Sequence, residues 1–175
     1  MTHPEPPPAA ASGTRAEVFA WAMYDWANSA YSTILITIFY QYLTTQVFDE
    51  KDAWGSTLYA WGIALSMLTA AVLSPVVGAV ADANSSKRRW LALTALGGAL
   101  AATCVALVPT SAAWLVVLLF VLMSLMFELS LGFYNGFLPE IADERTMNRV
   151  SAWGYALGYL GGAIALILAL LVRVF

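Results

Sequence analysis

Histidine and cysteine are almost missing from this chain, and charge is scarce. His3 is the only histidine and Cys104 the only cysteine. An intrachain disulfide is therefore impossible, and a metal site built on several imidazoles is excluded. Charged residues make up 11% of the 175, where a soluble domain carries about a quarter. A formal net charge of -3 gives no basic footprint for a nucleic acid. The chain has no nucleophile–base set, no metal-ligand cluster and no phosphate-cradling glycine loop, so neither an enzyme nor a cofactor is expected. A basic start followed by a short apolar core, the mark of a signal peptide, is also absent. Residues 1–17 are instead Pro/Ala-rich and are expected to form a disordered tail.

What is present is apolar: 61% of residues, gathered in long runs. A helix needs about 20 such residues to cross a bilayer. Five segments qualify, at residues 18–48, 58–80, 90–108, 112–138 and 150–172. The expected fold is an all-α membrane protein of five spans, with successive helices antiparallel because the links are short. Basic residues orient it. With the N-terminus inside, the cytoplasmic side holds Arg15, Lys87, Arg88, Arg89, Arg145 and Arg149, and the outside holds Lys51 and Arg173. That bias favours a cytoplasmic N-terminus in a cell (inner) membrane. Trp21, Trp54, Trp90 and Trp114, at segment ends, suit interfacial belts.

Two acids lie inside these runs, Asp25 in the first and Glu128 in the fourth, with no Lys or Arg in either run. A carboxylate in hydrocarbon normally faces a bundle interior, a wet cavity or a proton pathway. Asp25, Asn28, Ser29 and Ser32 share a helix face at i, i+3, i+4 and i+7, flanked by Tyr24 and Tyr31. Ser124, Glu128 and Asn135 share a face in the fourth run. At about 1.5 Å per residue, Asp25 falls roughly 10–12 Å from its cytoplasmic end and Glu128 roughly 15 Å from its own. The same polar side chains also suit plain interhelical bonding. Gly154, Gly158 and Gly162 recur every four residues, a packing pattern for a close helix pair. Pro75 and Gly78 suggest a kink or a close approach near the end of the second run.

The loop after that run places Gly78, then Asp82, then Lys87-Arg88-Arg89. It resembles the signature between the second and third helices of the major facilitator superfamily, with Ala83 at a basic position and Ser85 at a glycine position of that pattern. The segments Trp21–Tyr31 and Phe133–Ile141, with Arg149-Val150-Ser151 and Ala156–Gly162, resemble the first, fourth and fifth helices of its vacuolar amino-acid effluxer-like branch. The resemblance implies two six-helix halves around a central path, each half built of inverted three-helix units. The chain is then expected to be an N-terminal half stopping short of its sixth helix.

That resemblance implies secondary transport of a small solute, an amino acid or similar, by alternating access within a larger transporter. Asp25 and Glu128 become proton or substrate carriers. Tyr24, Asn28, Ser29, Tyr31 and Asn135 line the path. Gly78, Asp82, Lys87, Arg88 and Arg89 serve a cytoplasmic gate. The partners are the lipid bilayer, the solute, protons, and a missing second half or partner chain. The rival expectation is a non-transporting fragment or membrane scaffold that needs a partner chain.

Overall fold

The computed structural model describes residues 13–51 and 53–174. Every regular element among them is helical. In order they are α1 (Arg15–Ile34), a π turn (Leu35–Phe39), α2 (Tyr40–Tyr42), a second π turn (Leu43–Val47), α3 (Trp54–Ala83), α4 (Lys87–Leu107), α5 (Ala113–Gly136), α6 (Leu138–Ile141) and α7 (Met147–Val174). Four helices are long and apolar enough to cross a membrane: Trp54–Ala83, Lys87–Leu107, Ala113–Ile141 and Met147–Val172. The stretch before them is helical too, but polar residues in α1 and the two π turns set it apart from those four.

The chain forms two compact units, one of Met1–Ala30 with Gly136–Phe175, the other of Tyr31–Asn135. In the first unit α1 starts on a capping box. The Thr14 hydroxyl accepts from the Glu17 N–H at 3.3 Å, and the Glu17 carboxylate accepts from the Thr14 N–H at 2.8 Å. Two orphan N–H groups are thereby satisfied. This corrects the expected tail of residues 1–17: helix begins at Arg15, and residues 1–12 lie outside the described residues. Gly13 packs on the other segment of this unit, donating its N–H to the Ile141 carbonyl at 3.0 Å. Trp21 is corrected as well. It is 8% exposed and belongs to the interior, whereas Trp54 and Trp114 are exposed.

In the second unit α3 and α4 turn mostly small side chains inward and large ones outward. The buried residues of α3 are Gly55, Gly62, Ser66, Ala70 and Ala81, while Trp61, Leu68 and Val72 are exposed. Those of α4 are Thr94, Gly98, Ala101 and Val105. Lipid is as apolar as a leucine side chain, so helices gain most by close contact through small residues. Bulk comes from α5. Phe120 is fully buried and stacks on Phe39 (4.9 Å between centroids) and on Tyr59 (5.3 Å). It lies over Gly62, where an added Cβ would fall 2.9 Å from Phe120 Cδ1. One turn on, the Ser66 hydroxyl shares its proton between the carbonyls of Gly62 (2.8 Å) and Val121 (3.0 Å), tying α3 to α5.

The π turns follow from spacing. Leu35, Phe39 and Leu43 are buried at strict four-residue intervals. An α-helix makes a turn in about 3.6 residues, so such a row drifts around it. The wider i→i+5 turn winds it back and keeps the row on the core. The hydroxyls of Thr37, Thr44 and Thr45 donate back to the carbonyls of Thr33, Tyr40 and Gln41 at 2.6, 3.0 and 2.9 Å, supplying those carbonyls with additional donors where the ladder widens.

Candidate functional site

The two acids are each half-buried, and among the described residues no Lys or Arg forms an ion pair with either. In the first unit Asp25 of α1 lies over Gly158 of α7. A Cβ on Gly158 would sit 2.6 Å from Asp25 Oδ2 and 2.7 Å from Ser29 Oγ. The carboxylate and the hydroxyl therefore occupy the space that a side chain at 158 would take. Three residues on, Gly161 meets the Trp26 carbonyl, and its added Cβ would lie 2.9 Å from Trp26 Cδ1. Gly154, Gly158 and Gly162 are all buried, as is Gly161. The four-residue glycine row points to packing, and Gly161 beside it supplies a contact that the row itself does not include. Tyr24 and Asn28 are half-buried on the same helix.

In the second unit Glu128 sits on α5, one turn after Ser124. Tyr31 stacks on Phe127 at 5.1 Å, and its hydroxyl is beside Ser124. Asn135, at the end of α5, is exposed. The sequence pairs Tyr31 with the Asp25 stripe; the fold sets it against Phe127 and Ser124. No sequence spacing within one helix could have revealed that contact, because it joins α1 to α5.

The loop between α3 and α4 is closed by a Schellman turn. Ser86 N–H donates to Ala81 O at 2.8 Å and Ser85 N–H to Asp82 O at 3.1 Å. The residue in the left-handed region is Ser85, at φ 48°. Asp82 bridges to Lys87 at 3.1 Å, with the acid 62% and the lysine 29% exposed. Arg88 and Arg89 are exposed. Gly78 does not make the close approach expected of it. Nothing lies within 4 Å of an added Cβ there, and it instead borders a small cavity with Ser74, Leu129, Gly132 and Phe133. Before α7, Asp143 and Thr146 form a reciprocal pair. The Asp143 carboxylate accepts from the Thr146 N–H at 2.8 Å and from its hydroxyl at 2.5 Å. Those bonds from Thr146 hold the Asp143 carboxyl below its ordinary range.

The model of the Major Facilitator Superfamily matches residues 6–172. The chain belongs to that superfamily. Among relatives, an uncharacterized MFS-type transporter, YxiO, of Bacillus subtilis (strain 168) is 35% identical over 157 residues, covering 87% of this chain and 36% of its own length. An uncharacterized protein of Aquifex aeolicus (strain VF5) is 27% identical over 148 residues, covering 85% of this chain and 36% of its own. The chain thus spans about a third of the length of these relatives. No solved structure matches it significantly. Within this Major Facilitator Superfamily chain, the loop position where the family pattern has glycine is Ser85, and its backbone keeps the conformation that glycine adopts most easily.

Proposed function

We propose that this chain is part of a secondary transporter that carries a small solute across a membrane by alternating access. Superfamily membership supports that reading, and the likeness of residues 21–31 and 133–141 to the vacuolar amino-acid effluxer-like branch favours an amino acid or similar solute. The observation that carries it is the pair of half-buried acids, Asp25 and Glu128, on helices otherwise free of charge in their apolar stretches. A carboxyl group there has no packing value that a leucine would not exceed, and it can take up and release a proton as its surroundings alternate between wet and dry. In this reading the stretch 15–47 crosses the membrane as a fifth span, and the N-terminus is cytoplasmic. Tyr24, Asn28, Ser29, Tyr31 and Asn135 line the path. Asp82, Lys87, Arg88 and Arg89 act at the cytoplasmic gate beside Gly78. The opposing bundle comes from the rest of a longer chain or from a partner.

The test is solute uptake driven by a proton gradient, in vesicles carrying the full-length transporter with Asp25→Asn or Glu128→Gln. Each variant keeps size and hydrogen bonding but cannot titrate. Loss of gradient-driven uptake with normal insertion is expected. Wild-type uptake with unchanged pH dependence in both variants would reduce the two acids to structural contacts.

A further inference from the structure

Helix α7 exposes two unlike rows of side chains. One row, Trp153, Leu160, Ile164, Ile167 and Leu171, is apolar and suits lipid. The other, Asn148, Ala152, Tyr155 and Tyr159, runs at i, i+4, i+7 and i+11 and carries polar atoms. Tyr155 is 67% and Tyr159 80% exposed. Tyr159 stands halfway along the Met147–Val172 span, and Tyr155 about 6 Å from it along the axis. Membrane tyrosines favour the two interfaces, where the hydroxyl stays wet. At mid-span a hydroxyl turned to hydrocarbon has no hydrogen-bond partner and costs free energy. Phe or Leu would suit lipid better at both places, so this row points to a surface that water reaches.

The polar level continues into α1, within the same unit. Gly158 lies between the two tyrosines in sequence and takes the Asp25 carboxylate and the Ser29 hydroxyl against its backbone. At about 100° per residue, Tyr155 and Tyr159 sit roughly 60° and 100° to one side of Gly158, whereas Leu160 and Ile167 lie behind it. The two rings thus flank the contact that holds the carboxylate. Among the described residues Asp25 has no ion-pair partner. An aromatic ring face and a carboxylate both attract a cation. We infer that Tyr155 and Tyr159 border the solute path beside Asp25, and that the three side chains receive an ammonium group of the solute. This rests on the transporter reading and narrows its solute to one that carries an amine. The carboxylate accepts hydrogen bonds from the ammonium, and the rings cover the rest of the cation. The phenol hydroxyls keep both rings compatible with water.

The test uses the full-length transporter in a cysteine-free background, with single Cys substitutions on α7, in open membrane fragments where reagent reaches both faces. Tyr155→Cys and Tyr159→Cys are expected to react with a charged methanethiosulfonate at least about tenfold faster than Leu160→Cys and Ile164→Cys, because a thiol must be wet to ionise and react. Equal rates would overturn the inference, since the tyrosine row would then face lipid or packed protein. Thermal unfolding of the full-length protein in detergent, with n-butylammonium or n-butyrate, tests the ligand class. Wild type is expected to be stabilised by the ammonium alone. Its apparent affinity should fall at least about threefold in Tyr155→Leu/Tyr159→Leu and stay near wild type in Tyr155→Phe/Tyr159→Phe, which keeps both rings. Equal response to the two probes, none included, or an unchanged affinity in the leucine variant, would sink it. Failure of the transporter reading would show differently, as absence of solute flux in vesicles with the labelling pattern and the ammonium preference intact.

Discussion

At the scale of single residues, glycine and its replacement decide the outcome at two places. Gly158 leaves room for the Asp25 carboxylate and the Ser29 hydroxyl. Gly158→Ala is expected to cost about 1–3 kcal/mol, the usual range for overpacking. The cost should fall in part in a Gly158→Ala/Asp25→Ala double variant, because the added Cβ meets the carboxylate as well as the Ser29 hydroxyl. Thermal unfolding of the four proteins of that cycle measures the coupling, and equal losses with and without Asp25 would contradict it. Ser85 presents the reverse case, a side chain where a glycine would be more at ease. A left-handed residue with a Cβ costs about 1–2 kcal/mol relative to glycine. Ser85→Gly is therefore expected to stabilise the α3–α4 turn, and Ser85→Val to weaken it. Slower amide exchange at Ser86 in the glycine variant is the sign to look for. The substitution is visible in the sequence, but the sequence cannot say whether the turn changed with it. The Ser86 to Ala81 hydrogen bond shows that the turn is kept.

At the scale of elements, the start of α7 carries a pH-dependent contact. Asp143 has its carboxyl lowered by the hydrogen bonds from Thr146. A group lowered in the folded state stabilises above its unfolded value of 3.8, and the contribution disappears as pH falls through the folded value. Amide exchange in the first turn of α7 is thus expected to quicken in acid below that value, and an Asp143→Asn variant should lack that acid step. A step unchanged in the variant would assign it to another group. Long helices are legible in the sequence because runs of apolar residues admit no other structure in lipid. Their starts are less so: α3 begins at Trp54 and not Leu58, and α7 at Met147 and not Val150. The capping box at Thr14 and Glu17 has a sequence signature, a Thr followed three residues later by Glu. The π turns have none that hydropathy reveals. They come from matching the row of Leu35, Phe39 and Leu43 to Phe120, a partner about 80 residues away in the chain. For the candidate site, the acids stand out by charge alone, whereas the contacts Asp25–Gly158 and Tyr31–Ser124 depend on which helices meet.

At the scale of the whole molecule, orientation is the first thing to measure. Six basic residues on one side against two on the other predict a cytoplasmic N-terminus. In a cysteine-free background, a Cys at Glu50 is expected to react with an impermeant reagent added outside intact cells, and a Cys at Ser85 only after the cells are opened. The opposite pattern would invert the topology. The inward-facing Gly, Ser, Ala and Thr of α3 and α4 have a calorimetric consequence. Separating helices within a bilayer trades small-residue contacts for lipid contacts and brings almost no apolar surface into water. Hydration of apolar surface is what gives soluble proteins their large heat-capacity change and the curvature that brings cold denaturation. For this bundle, in lipid, free energy of helix separation should run nearly straight with temperature, and cooling should not loosen it.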